Sequence, residues 1–156
     1  MKLDPFYLIV DRASWLPRLL PQGVKLVQLR AKEMDEATLR REIVTAREVC
    51  ARYGAQLVVN DYWRLAIDEG CDFVHLGQED LADADLAALR RAGVRIGIST
   101  HDEAELEVAL MARPDYVALG PVYPTILKKM RWSPQGLERV TRWKQRVGEL
   151  PLVGIG

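Results

Sequence analysis

A chain of 156 residues, 49% of them apolar, can bury the core of one domain and is short for two. Its 22 Lys and Arg balance 22 Asp and Glu, so no global positive field exists to draw in nucleic acid or an anionic membrane, and a small-molecule site is expected instead. Cys50 and Cys71 have neither C-x-x-C spacing nor zinc-type partners, which predicts reduced, buried thiols in a cytoplasmic protein.

Taken in chain order, the first apolar run is FYLIV (6–10), too short for a signal peptide's apolar region or a membrane span. It reads as a strand, as does KLVQL (25–29). The stretch 35–53 then places Leu39, Ile43, Ala46, Cys50 and Tyr53 at steps of three and four, the stripe of an amphipathic helix. QLVVN (56–60), FVHLG (73–77) and VRIGIS (94–99) follow as strands. Asp102 with Glu105 resembles a capping box at the start of the next helix, and YVALG (116–120) is the sixth strand. Ser133 before Pro134 suits a cap and a first helical position, Gly148 closes that helix, and PLVGIG (151–156) is the seventh strand.

Most of these strands are rich in Val, Ile and Leu with little polar alternation, as in a parallel sheet covered on both faces. Repeated strand–helix units mean an α/β fold, and no G-x-G-x-x-G follows the first strand, which favours a (β/α)8 TIM barrel over a dinucleotide-binding sheet. A closed barrel needs eight strands and usually at least ~200 residues. The expectation is therefore a single barrel domain over 1–156, truncated after its seventh strand, with the eighth strand region absent from the chain.

Ligands of such folds bind where the carboxyl ends of the strands open into loops. Polar residues collect at those ends: Gln28, Arg30 and Lys32 after the second strand, Asn60 and Asp61 after the third, Gln78 and Asp80 after the fourth, Ser99 after the fifth, Thr125 and Lys128 after the sixth. Asp61 and Asp80, backed by the Asn60 amide, suit one Mg²⁺ with positions left for water and substrate phosphates. Arg30 and Lys32 alternate and so point the same way, as a diphosphate site requires. Taken singly, each has a plainer reading. Either Asp could be a helix cap or turn residue, Arg30 and Lys32 a solvated pair, His75 a satisfied core or rim histidine and His101 a polar residue opening a helix. Trp63, Trp132 and Trp143 suit packing, and KKMR (128–131) a surface charge run. What favours a site is that five strand ends carry one kind of chemistry.

The motifs LVQLRAK, VVNDYWRLAIDEGCDFVHLGQEDL, GISTH, GPVYPT, the pair Gly136–Leu137 and LVGIG resemble, in order and over essentially the whole chain, those of thiamine phosphate synthase. The resemblance implies a transferase that joins 4-amino-5-hydroxymethyl-2-methylpyrimidine diphosphate to a thiazole phosphate, releasing thiamine phosphate and diphosphate. Carried over motif by motif, Asp61 and Asp80 would hold Mg²⁺, and Arg30, Lys32, Asn60 and Lys128 would bind the diphosphate. Gln28 and Ser99 would contact the pyrimidine and leaving group, and Thr125, Gly154 and Gly156 the thiazole phosphate. Arg30, Lys32, Ser99 and Lys128 would carry the catalysis, which in that family is dissociative: diphosphate departs, a pyrimidine carbocation forms, and the thiazole nitrogen attacks it. That chemistry asks for stabilisation of departing charge more than for a general base.

Leu127 stands where the family's loop has a second Thr, which removes one hydroxyl from the thiazole phosphate site. Related thiazole tautomerases carry a His where this sequence has Pro121, which counts against an isomerase. A non-catalytic binder of thiazole or thiamine phosphate would be expected to lose the acid pair first, and both acids are present. The loop 124–132 is expected to order over diphosphate. The sequence leaves open whether the protein is a homo-oligomer.

Overall fold

The computed structural model describes residues 2–125 and 132–156. Strands β1 (Tyr7–Val10), β2 (Leu26–Leu29), β3 (Gln56–Asn60), β4 (Phe73–Leu76), β5 (Arg95–Thr100), β6 (Tyr116–Leu119) and β7 (Leu152–Gly154) alternate with helices. The helices are α1 (Leu16–Leu19), α2 (Glu36–Tyr53), α3 (Trp63–Asp68), α4 (Gln78–Asp83), α5 (Leu86–Arg91), α6 (Glu103–Met111) and α7 (Gly136–Val147). The pairs β1–β2, β2–β3, β3–β4, β5–β6 and β6–β7 are all parallel. All seven strands stand where the apolar runs place them, in the α/β, TIM-like class the sequence predicts.

Two compact units make up the chain. One holds Leu3–His75 and Ala84–Arg95, the other Leu76–Asp83 and Ile96–Gly156 together with the N-terminal dipeptide.

In the first unit β1, β2, β3 and β4 pair in sequence order, with Gln28 opposite Ile9 and Val58, and Asn60 opposite His75. Side chains alternate along a strand, so this register sorts them onto two faces. Leu8, Val10, Val27, Leu29, Leu57, Val59 and Val74 share one face, which is wholly apolar. Tyr7, Gln28, Asn60 and His75 share the other, which is not. Helix α2 packs beside β3 and buries Leu39, Ile43, Ala46, Val49 and Cys50. Asp35 caps it by accepting from the Thr38 amide, and Gly54, at φ 62°, ends it. Tyr53 falls outside the buried stripe expected of it, being 41% exposed in the last turn. Cys50 and Cys71 are buried free thiols, as the sequence predicts.

In the second unit β5, β6 and β7 pair in parallel. The Tyr116 ring, fully buried, lies over Gly97 on the neighbouring strand, and a Cβ at position 97 would sit 2.0 Å from its Cζ. Asp102 caps α6 by accepting from the Glu105 amide, but the reciprocal bond goes one residue further back, where Glu105 accepts from the His101 amide. Helix α7 starts at Gly136, later than Ser133 and Pro134 suggest. The Gln135 and Gly136 amides are instead given to the carbonyls of Pro121 and Val122, so the turn is held by the loop after β6 and not by a Ser133 cap. Gly148 closes α7 as expected.

Candidate functional site

The polar face of the first unit ends in charge. Gln28 and Asn60 are 3% and 5% exposed, burial that polar side chains accept only when hydrogen bonded. Gln28 donates through Nε2 to Tyr7 Oη at 3.0 Å. His75 is equally buried, and burial pushes its imidazole down to about 4 despite the attraction of the nearby Asp61 carboxylate, with Arg30 adding to the depression. The ring is thus neutral at physiological pH. A core or rim histidine is what its place in an apolar run predicts, and the register sets it beside Asn60 on the polar face.

Beyond β3 the chain turns sharply at Asp61, which adopts φ 64°, a left-handed conformation that Asp tolerates better than most residues. Its amide donates to the His75 carbonyl at 2.8 Å and its carbonyl accepts from the Trp63 amide at 2.7 Å, so the turn is fixed on both sides. The carboxylate, with a side chain 11% exposed, meets the Lys32 ammonium. Lys32 and Arg30 are exposed on either side of the buried Ala31, which is the alternation that lets both cations face one way. Arg30 is anchored at its backbone, donating to the Val10 carbonyl at 2.8 Å.

The second unit holds the other predicted residues. The acidic run after β4 is not a loop: Gln78, Glu79 and Asp80 form the first turn of α4, where carboxylates complement the helix dipole. The Asp80 carboxylate folds back over Gly77, where an added Cβ would lie 3.1 Å from its Oδ2. Gln78 donates through Nε2 to the Ser99 carbonyl at 2.7 Å, tying the start of α4 to the end of β5. Past Thr100, His101 pairs through Nδ1 with Glu105 at 2.7 Å and stacks on Trp132 with centroids 3.9 Å apart. Trp132 thus packs against the chain's own His101, and Trp143 is buried, both in line with the expected packing role.

Thr125 is half-buried in the segment that follows β6. Gly156 has a structural need for glycine, with φ 104° and an added Cβ 2.8 Å from Pro121, while Gly154 would meet nothing closer than Val122 at 3.5 Å. Lys128, Leu127, KKMR and most of the loop 124–132 lie outside the described residues. Among the described residues no three His, Cys, Asp or Glu gather as a protein-only metal cage, and no helix is long and apolar enough to cross a membrane.

The sequence model described as Thiamine monophosphate synthase matches residues 6–156. The chain belongs to the thiamine monophosphate synthase family. It is 67% identical over its whole length to the thiamine-phosphate synthase of Rhizobium etli, covering 76% of that protein. It is 50% identical over 150 residues to that of an Enterobacter species, covering 96% of this chain and 71% of the relative. The structure of a thiamine phosphate pyrophosphorylase from Pyrococcus furiosus matches 96% of this chain and 73% of its own, with a TM-score of 0.81 and 25% identity. The chain is accordingly an enzyme of thiamine biosynthesis, a transferase of the thiamine phosphate synthase type, with small molecules as substrates.

Proposed function

We propose that the protein joins 4-amino-5-hydroxymethyl-2-methylpyrimidine diphosphate to a thiazole phosphate, with Mg²⁺ held by Asp61 and Asp80, in the cytoplasm. The observation that carries this reading is the end of β2 and β3, where the bent Asp61 carboxylate meets Lys32 beside an exposed Arg30. A carboxylate that is partly desolvated and a pair of cations are what a metal and a diphosphate need. The donor set fits Mg²⁺, which takes one or two protein carboxylates and fills its other positions with water and phosphate oxygens. When bound, the metal supplies positive charge to the diphosphate.

Arg30 and Lys32 donate to the diphosphate oxygens, Arg30 as a fork and Lys32 as a point charge, and Lys128 adds a third cation. The Asn60 amide is a further donor at the same strand end. Gln28, in the floor below, contacts the pyrimidine. Ser99, held by Gln78, meets the leaving group, and Thr125, Gly154 and Gly156 take the thiazole phosphate. These groups stabilise the negative charge that gathers on diphosphate as it leaves, the kind of preorganised electrostatics that lowers such a barrier most. His75 stays neutral and adds no positive charge to compete for Asp61. The buried thiols Cys50 and Cys71 support a reducing compartment.

The test is a diphosphate-release assay with both substrates and Mg²⁺, comparing the parent protein with Asp61→Ala and Asp80→Ala. The expected result is thiamine phosphate from the parent and at least a roughly hundredfold loss in each variant, the scale on which transition-state charge stabilisation operates. Undiminished turnover in either variant removes that aspartate from the metal site.

A further inference from the structure

Tyr7 is not among the residues that the motifs single out, yet its phenol oxygen accepts the Gln28 amide at 3.0 Å. The register makes this contact possible. Tyr7 pairs with Leu26 and Ile9 with Gln28, so Tyr7 and Gln28 share the polar face of the sheet, one step apart along neighbouring strands. Gln28 is 3% exposed, so water does not compete for its amide.

A primary amide has two N–H donors and one carbonyl acceptor. With one N–H given to Tyr7, Gln28 retains one N–H and its carbonyl for a ligand. That is the complement of the edge of a 4-aminopyrimidine, where a ring nitrogen accepts and the exocyclic amine donates, and it is the way Gln reads the corresponding edge of adenine. A 4-oxopyrimidine presents the opposite order, donor then acceptor. Meeting it requires the amide to turn over and the phenol to reverse from acceptor to donor.

We propose that Tyr7 is a positioning residue that holds the Gln28 amide in the orientation that selects a 4-amino over a 4-oxo pyrimidine. The inference rests on the proposed contact between Gln28 and the pyrimidine.

The experiment measures equilibrium binding of the 4-amino and 4-oxo pyrimidine diphosphates, with Mg²⁺, to the parent, Tyr7→Phe, Gln28→Leu and the double variant. Steady-state synthesis and thermal melting are measured alongside. Expected for Tyr7→Phe is a roughly five- to tenfold loss of affinity for the 4-amino ligand, the size of one hydrogen bond. The preference over the 4-oxo ligand should narrow, and KM should rise while kcat holds. The double variant should bind no worse than Gln28→Leu alone, because both substitutions remove the same contact. Losses that multiply in the double variant, or an unchanged preference in Tyr7→Phe with Gln28→Leu impaired, overturn the role of Tyr7 and leave the Gln28 contact standing. Full affinity and preference in Gln28→Leu overturn both, independently of whether the diphosphate and metal reading holds.

Discussion

The Lys32 ammonium rests against the Asp61 carboxylate, joining the ends of β2 and β3, and the two are unequally buried at 44% and 11% exposed. The carboxylate is therefore the fixed member and the lysine the one free to leave. Lys32 occupies the acid that the proposed metal would use, so a divalent ion arriving alone must displace it, whereas a metal diphosphate offers the lysine a new anion.

Lys32→Met is expected to act in opposite directions on these two ligands. Affinity for pyrimidine diphosphate should fall about tenfold or more, the worth of one charged hydrogen bond. Binding of Mn²⁺ to the ligand-free protein should become tighter, as read by electron paramagnetic resonance titration. If Mn²⁺ binds the variant no better than the parent, Lys32 does not guard the carboxylate.

His75 sets a pH dependence of stability. Its pKa is about 4 in the folded protein against 6.5 for the free side chain, so the unfolded state takes up the proton first as pH falls. Stability from this group is complete above about pH 6.5 and drains away as pH drops towards about 4, by about 3 kcal/mol at most. Urea unfolding near pH 7 and near pH 4.5 should show the loss, and His75→Gln should flatten it. Equal slopes in parent and variant would assign the acid sensitivity elsewhere.

Gly97→Ala is expected to destabilise by about 1 to 3 kcal/mol, because the new methyl must displace the buried Tyr116 ring and cores resist overpacking. Combining it with Tyr116→Leu should cost less than the two single losses together. A variant that melts with the parent would mean that the ring has room to move.

Cys50 and Cys71 should resist thiol reagents in the folded state. Burial is the main influence raising both thiols to about 11, and the side chains are 1% and 6% exposed, so neither thiolate nor access is provided near neutral pH. Labelling in native buffer should be negligible and should reach both residues in denaturant. Rapid native labelling would show that this part of the first unit opens.

Much of the fold is legible because it depends on local pattern. β3 runs over Gln56–Asn60 as its apolar run indicates, and α2 starts after Asp35 and ends at Gly54 as propensity and capping require. The parts that are not legible depend on distant partners. Gln78, Glu79 and Asp80 read as the loop after the fourth strand, and instead form helix in a segment that buries Leu81. The start of α7 is moved by carbonyls at Pro121 and Val122, more than a dozen residues upstream. Of the candidate site, the sequence pattern brings charged residues to the ends of β2 and β3, where Lys32 and Asp61 meet. Tyr7 and His75 each lie within an apolar run, and only the strand register shows which polar residues stand beside them.

That same register has an evolutionary consequence. In the first unit the even and odd positions of a strand answer to different demands, one face to packing and the other to the proposed ligand. Substitutions at Gln28 or Asn60 can be tried without disturbing Val27 or Val59, so new specificities are open to selection one residue at a time. Insertions or deletions of one residue within β2 or β3 are closed to it, because they exchange the two faces and forfeit packing and recognition together.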